Sequence, residues 1–241
     1  MKRQMRPLKA LPLWVVAAVL GFASLQVVYN QRIQQDLAGE FQQLEKPLDA
    51  TIYQATAMGS DLLLSYLLLL DLQLHDNQHG SHVAYSRLDY WLLDEWLSTL
   101  YQMNPDSGYA AFLASRVYAA TPDSDQLRKM VDLIERLFQA NPELHWRRMT
   151  EASLLAKHRL VDLPRALQLA QQVAALPKSI ALPYWARSMQ VVLLDELNEL
   201  ESAQLLISSM LQDGQIDDPD EIRFLRNRLL KIQQSMSASE Q

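Results

Sequence analysis

One apolar figure occurs four times along the chain and constrains the fold more than any other feature. In residues 127–142, LRKMVDLIERLFQANP, apolar side chains fall at Leu127, Met130, Val131, Ile134, Leu137 and Phe138. Steps of three and four place them on one stripe of a helix, with Arg128, Lys129, Asp132, Glu135, Arg136 and Gln139 on the other side. Asp123 or Ser124 is placed to cap its start, and Asn141-Pro142 to stop it, because proline cannot continue the hydrogen-bond ladder. Met130, Ile134 and Leu137 mark the figure: apolar at i, i+4 and i+7, then a breaker. It occurs also at Leu93, Leu97, Leu100 before Asn104-Pro105, at Ala166, Ala170, Val173 before Pro177, and at Ala203, Ile207, Met210 before Asp213-Gly214. The steps are about 36–37 residues, in the range where a period signals stacked helical hairpins.

The rest of the chain agrees with an all-helical fold. No sustained run alternates apolar with polar as a half-buried strand does, and there are only 6 glycines in 241 residues. Helices are predicted over residues 85–102, 107–119, 124–140, 143–160, 164–176, 182–200, 202–212 and 219–234, joined by short Asn-Pro, Thr-Pro, Asp-Leu-Pro and Asp-Gly stops. Short links make antiparallel neighbours, and successive hairpins of this length make a solenoid. The last helix carries Ile222, Leu225, Leu229 and Ile232 inward and Arg223, Arg226, Arg228 and Lys231 outward, as a capping helix does.

The N-terminus reads differently. Residues 10–29, ALPLWVVAAVLGFASLQVVY, hold no charge, which matches a helix crossing roughly 30 Å of hydrocarbon. Trp14 and Tyr29 stand near its ends, where aromatic rings favour the interface. Lys2, Arg3, Arg6 and Lys9 precede it with no acid among them, and the formal charge of −6 less these four leaves −10 on the remainder. The positive-inside rule puts the N-terminus in the cytoplasm and the body across the membrane, in the periplasm of a Gram-negative cell. A cleaved signal peptide is the competing reading; against it, the apolar run is long and no A-x-A site follows. An acidic body also argues against nucleic acid as a partner.

Five segments follow: a basic cytoplasmic N-terminus (residues 1–9), a transmembrane helix (10–29), a helical stalk (30–48), an all-helical repeat domain (49–234) and a flexible tail (235–241). In the stalk Ile33, Leu37, Phe41 and Leu44 share a face that suits docking on the body. Residues 49–74 contain the run LLLSYLLLL; closed by Asp61 and Asp71, it is too short to span a membrane and reads as a core helix packed on several sides.

At the level of its hairpins the chain resembles the tetratricopeptide-repeat superfamily. The matching residues are Met130, Ile134, Leu137, Pro142 and Leu93, Leu97, Leu100, Pro105, with the period above, over about residues 85–214. The resemblance implies a groove that binds peptides or partner domains. For an anchored bacterial protein it implies an adaptor or scaffold in the assembly or maintenance of an envelope or membrane complex. The alternative is an accessory subunit of a larger membrane complex, whose span packs through Ala17, Ala18, Gly21 and Ala23.

Candidate sites are few. In such hairpins the first helices line the concave wall, which points to Arg116, Tyr118, Trp146, Arg147, Arg148, His158, Tyr184, Trp185 and Arg187 as a partner-binding groove. Arginine offers forked donors and Trp or Tyr a rigid platform; the plainer reading is packing between repeats and surface ion pairs. His75, His79 and His82 form a second candidate, since imidazoles suit zinc, copper or nickel; the plainer reading is a polar loop whose histidines face water. The chain has no cysteine, so thiolate metal sites and a cysteine nucleophile are excluded. No G-x-S-x-G, Walker loop, HExxH or G-x-G-x-x-G motif occurs, and neither an enzyme activity nor a cofactor is expected.

Overall fold

The computed structural model describes residues 13–36, 44–75, 77–78, 81–82, 84–213 and 216–239. The four N-terminal cations, the first residues of the 10–29 span, stalk residues 37–43 and His79 lie outside them. The chain divides into two units. One comprises Met1–Gln43 with Asn77–His82, the other Leu44–Asp76 with Val83–Gln241.

In the first unit α1 (Leu13–Asp36) is a helix of 24 residues. Trp14, Val19, Leu20, Phe22, Leu25, Val27 and Val28 along it are exposed. Ser24 donates its hydroxyl to the Leu20 carbonyl (2.8 Å), which hides its polarity within the helix. Among the described residues no single helix is long and apolar enough to cross a membrane; the apolar part of α1 within them is Ala17–Val28. Asn77–Gln78 (β1) pairs antiparallel with Ser81–His82 (β2).

The second unit, the body, is built of helices. Residues 44–49 are not a helix, in contrast to the stalk expected there. They are tied to α4 (Tyr90–Met103), where the Trp96 indole N–H donates to the Glu45 carbonyl (2.7 Å) and Lys46 pairs with Glu95. The single core helix expected over residues 49–74 is instead two helices, α2 (Ala50–Thr56) and α3 (Asp61–His75), bent by 119°. The bend lies where Met58 (φ 50°) and Gly59 (φ 84°) turn left-handed, a conformation glycine accepts freely and methionine does not. Nor is α3 packed on several sides: only Ser65 and Leu72 are buried.

From residue 85 onward the predicted helices are present. A 3-10 turn (Tyr85–Arg87) leads into α4, whose N–H groups at Trp91 and Leu92 are capped by Asp89. The next helix is irregular: α5 (Tyr109–Phe112) widens into a π turn (Leu113–Val117) and tightens into a 3-10 turn (Tyr118–Ala120). Then come α6 (Ser124–Ala140), α7 (Pro142–His158), α8 (Leu163–Ala174), α9 (Tyr184–Glu196), α10 (Leu200–Gln212) and α11 (Pro219–Ser239). Asp123 caps α6, and Asn141 both closes α6 and caps α7, with Pro142 in the first turn where its missing N–H costs nothing. Asp162 and Pro164 repeat the device at α8. The last helix runs on through residues 235–239, expected to be frayed.

Each helix from α6 to α9 packs on the next, and the four copies of the apolar figure supply the core. Leu93, Leu97 and Leu100, Met130, Ile134 and Leu137, Ala166, Ala170 and Val173, and Ala203 and Ile207 are all buried. Next-but-one helices are tied by charge. Arg136 on α6 pairs with Asp94 on α4, Arg165 on α8 with Asp132 and Glu135 on α6, Lys157 on α7 with Glu196 on α9, and Arg228 on α11 with Asp195 on α9.

Candidate functional site

The residues predicted to line a groove fall into three sets. The first surrounds Glu151 on α7. Arg116, from the π turn, donates to its Oε1 (2.5 Å), and Arg148 reaches both oxygens from one turn away (2.9 and 2.8 Å). Burial pushes the Glu151 carboxyl up, but hydrogen bonds from Arg116, Ser115 and Arg148 outweigh it and hold the group below its ordinary range. Arg148 also lies over the Phe112 ring. Both guanidinium groups are thus engaged within the fold. Tyr118, next to this set in sequence, is a core residue with no exposed surface; its ring meets Tyr85 edge-on and its carbonyl accepts from the Tyr90 hydroxyl (2.7 Å).

The second set lies at the α8–α9 connection. Arg187 donates to the carbonyls of Ala174 (2.9 Å), Leu176 (2.8 Å) and Pro177 (3.2 Å). These are acceptors left over where α8 ends, so the side chain acts as a C-terminal clamp on the preceding helix. Arg187 and the half-buried Tyr184 line a cleft of about 270 Å³ that also touches Leu182, Lys178 and Met210.

The third set is open to solvent. Trp185 on α9 is 51% exposed and its ring lies 6.2 Å from that of Trp146 on α7, which is buried. The exposed Arg147 guanidinium sits 5.2 Å above the Trp146 ring. Two helices thus present an indole face edged by a cation. His158, also exposed, closes the last turn of α7.

For the histidines, His75 ends α3 and His82 pairs through its backbone with Asn77. Among the described residues no group of three His, Asp or Glu side chains is placed to hold a metal ion.

The sequence reading passed over two groups. Glu151 organises the first set; its three-residue spacing from Arg148 was the visible signal. His145 lies fully buried on α7, its ring edge-on to Tyr101 at 5.5 Å, and neither ring nitrogen has a hydrogen-bond partner. It belongs to the buried row His145, Met149, Ala152, Ala156, so its spacing marked it as core. Burial, and after it the charge of Arg148, pushes the imidazole below its ordinary 6.5. A histidine whose pKa is depressed on folding stabilises the fold above its unfolded value and loses that contribution as the pH falls. The thermal midpoint should therefore drop as pH is lowered from about 6.5 towards 5, a window above that in which Glu151 acts. In His145→Leu the drop over that window should flatten; an unchanged slope in a fluorimetric melt would show that another group carries it.

No protein-family model, no curated protein and no solved structure matches the chain.

Proposed function

We propose that the chain is a membrane-anchored, TPR-like helical adaptor that holds a partner protein during assembly or maintenance of an envelope or membrane complex. In this reading α1 is the described part of a single transmembrane helix, the N-terminus is cytoplasmic, and the body is displayed on the other side. The exposed Trp185, its ring tilted against Trp146, over which the Arg147 guanidinium sits, carries the proposal. An exposed indole beside one covered by a cation, backed by two packed helices, has the make-up of a binding hot spot. The repeat architecture is supported by two kinds of contact: packing between successive helices, and ion pairs or ring contacts between alternate ones, as in α4–α6, α6–α8, α7–α9 and α9–α11. That is the neighbour scheme of stacked hairpins. In this reading the adaptor role is non-enzymatic.

The test is a photo-reactive side chain at Trp185 of the full-length protein in living cells. One discrete adduct is expected, and Arg147→Ala should weaken it without moving the melting temperature, since Arg147 is exposed. A chain that yields no discrete adduct, or yields one indifferent to Arg147, contradicts the proposal.

A further inference from the structure

The apolar face of α3 points to a second copy of this chain. Ser65 and Leu72 are the buried side of the helix. Opposite them stand Leu63, Leu67, Leu70 and Leu74, flanked by Leu62 and Tyr66, all six between 50% and 60% exposed. The four leucines follow the 4-3-4 step of a helix-pairing seam. At such exposure each large side chain shows on the order of 100 Å², so the six present about 600 Å², the upper end for the largest apolar patch of a monomer. That is about three quarters of the roughly 800 Å² that one partner gives to a standard interface.

Charge separates the occupants. Residues 47–86 contain no Lys or Arg, so the face has no cation for anionic headgroups, on which surface-lying helices rely. Asp71 is exposed at the edge of the face, a quarter-turn from its centre. Immersion in hydrocarbon would strip water from this carboxylate, whereas a helix laid along the seam leaves it hydrated at the rim. An identical helix suits the seam well. Related by a two-fold axis, two copies set leucine against leucine with no charge in the contact. We infer that the protein is a homodimer paired through Leu63, Leu67, Leu70 and Leu74 of α3. This stands apart from the Trp185 surface, and neither depends on the other.

The absence of cysteine makes the test clean. Full-length Leu67→Cys in native membranes, treated with a short bis-maleimide, should give a species of twice the monomer mass. The yield should exceed by about tenfold that of Val161→Cys, an exposed site on the α7–α8 turn. Adding Leu63→Asp and Leu70→Asp should remove that species while circular dichroism stays unchanged, because neither side chain is in the core. The inference is overturned if Leu67→Cys dimerises no better than Val161→Cys, or if the dimer survives the two aspartates. It is equally overturned if Leu67→Cys links instead to a different protein, or if a spin label there reports contact with lipid chains.

Discussion

Ile134→Ala should destabilise the body by about 2–5 kcal/mol, the range for deleting a large aliphatic side chain from a filled core. Ile134 has no exposed surface and sits in the middle of the α6 stripe with Met130, Val131, Leu133 and Leu137. Since α6 packs against both α4 and α7, neither neighbour can close on the space left behind without losing its own contacts. Urea titration of the body should show a lower midpoint with an unchanged slope. The matched control is Leu205→Ala on α10, a leucine 75% exposed, which should fall within about 0.5 kcal/mol of the parent. Equal losses at the two positions would mean that the α6 stripe is not the core.

Arg165→Met should cost about 1–3 kcal/mol, less than a fully buried pair because the Asp132 side of the cluster is open to water. From the first turn of α8 the guanidinium binds Asp132 (2.7 Å) and Glu135 (2.6 Å) on α6 and Gln168 (2.9 Å) on its own helix. Burial opposes the charge on Arg165, but the hydrogen bonds and charges of Glu135 and Asp132 outweigh it and raise the pKa. Without the arginine, Glu135 keeps Gln172 as a partner but faces Asp132 one turn away with nothing to neutralise either. Arg165→Lys should recover only part of the loss, because the guanidinium spreads its bonds to Asp132, Glu135 and Gln168 over two preset nitrogens, whereas a lysine has one. A double-mutant cycle with Glu135→Leu measures the tie. If Arg165→Met and Glu135→Leu prove additive, the Arg165–Glu135 pair contributes nothing.

Much of the helical body was legible in the sequence because its signals were local. The stripe Leu127–Phe138, the Asp123 cap and the Asn141-Pro142 stop are all written within one helix, and residues 124–140 form the predicted element. The break at Met58-Gly59 was missed because it lies just ahead of a leucine run whose uniformly apolar sequence carries no face to show where its helix begins. The same uniformity concealed the side of α3 left in water: periodicity locates an apolar face only when another face is polar. For Arg187, composition suggested a binding residue, and only the fold places its guanidinium on the carbonyls that end α8. Long-range partners of this kind, thirteen residues away at Ala174, leave no periodic trace. By contrast, Trp185 was singled out with Trp146 and Arg147, and these three do meet.

Membrane anchorage with the body outside the cytoplasm is tested most directly by thiol accessibility in the full-length chain. Single cysteines at Met5 and Val161 should respond oppositely to an impermeant maleimide. In cells whose inner membrane is intact, Val161→Cys should react and Met5→Cys should stay protected until that membrane is opened. Labelling of Met5→Cys in intact cells, or recovery of the protein in the soluble fraction after lysis, would contradict the anchored orientation and with it the compartment in which the adaptor is proposed to act.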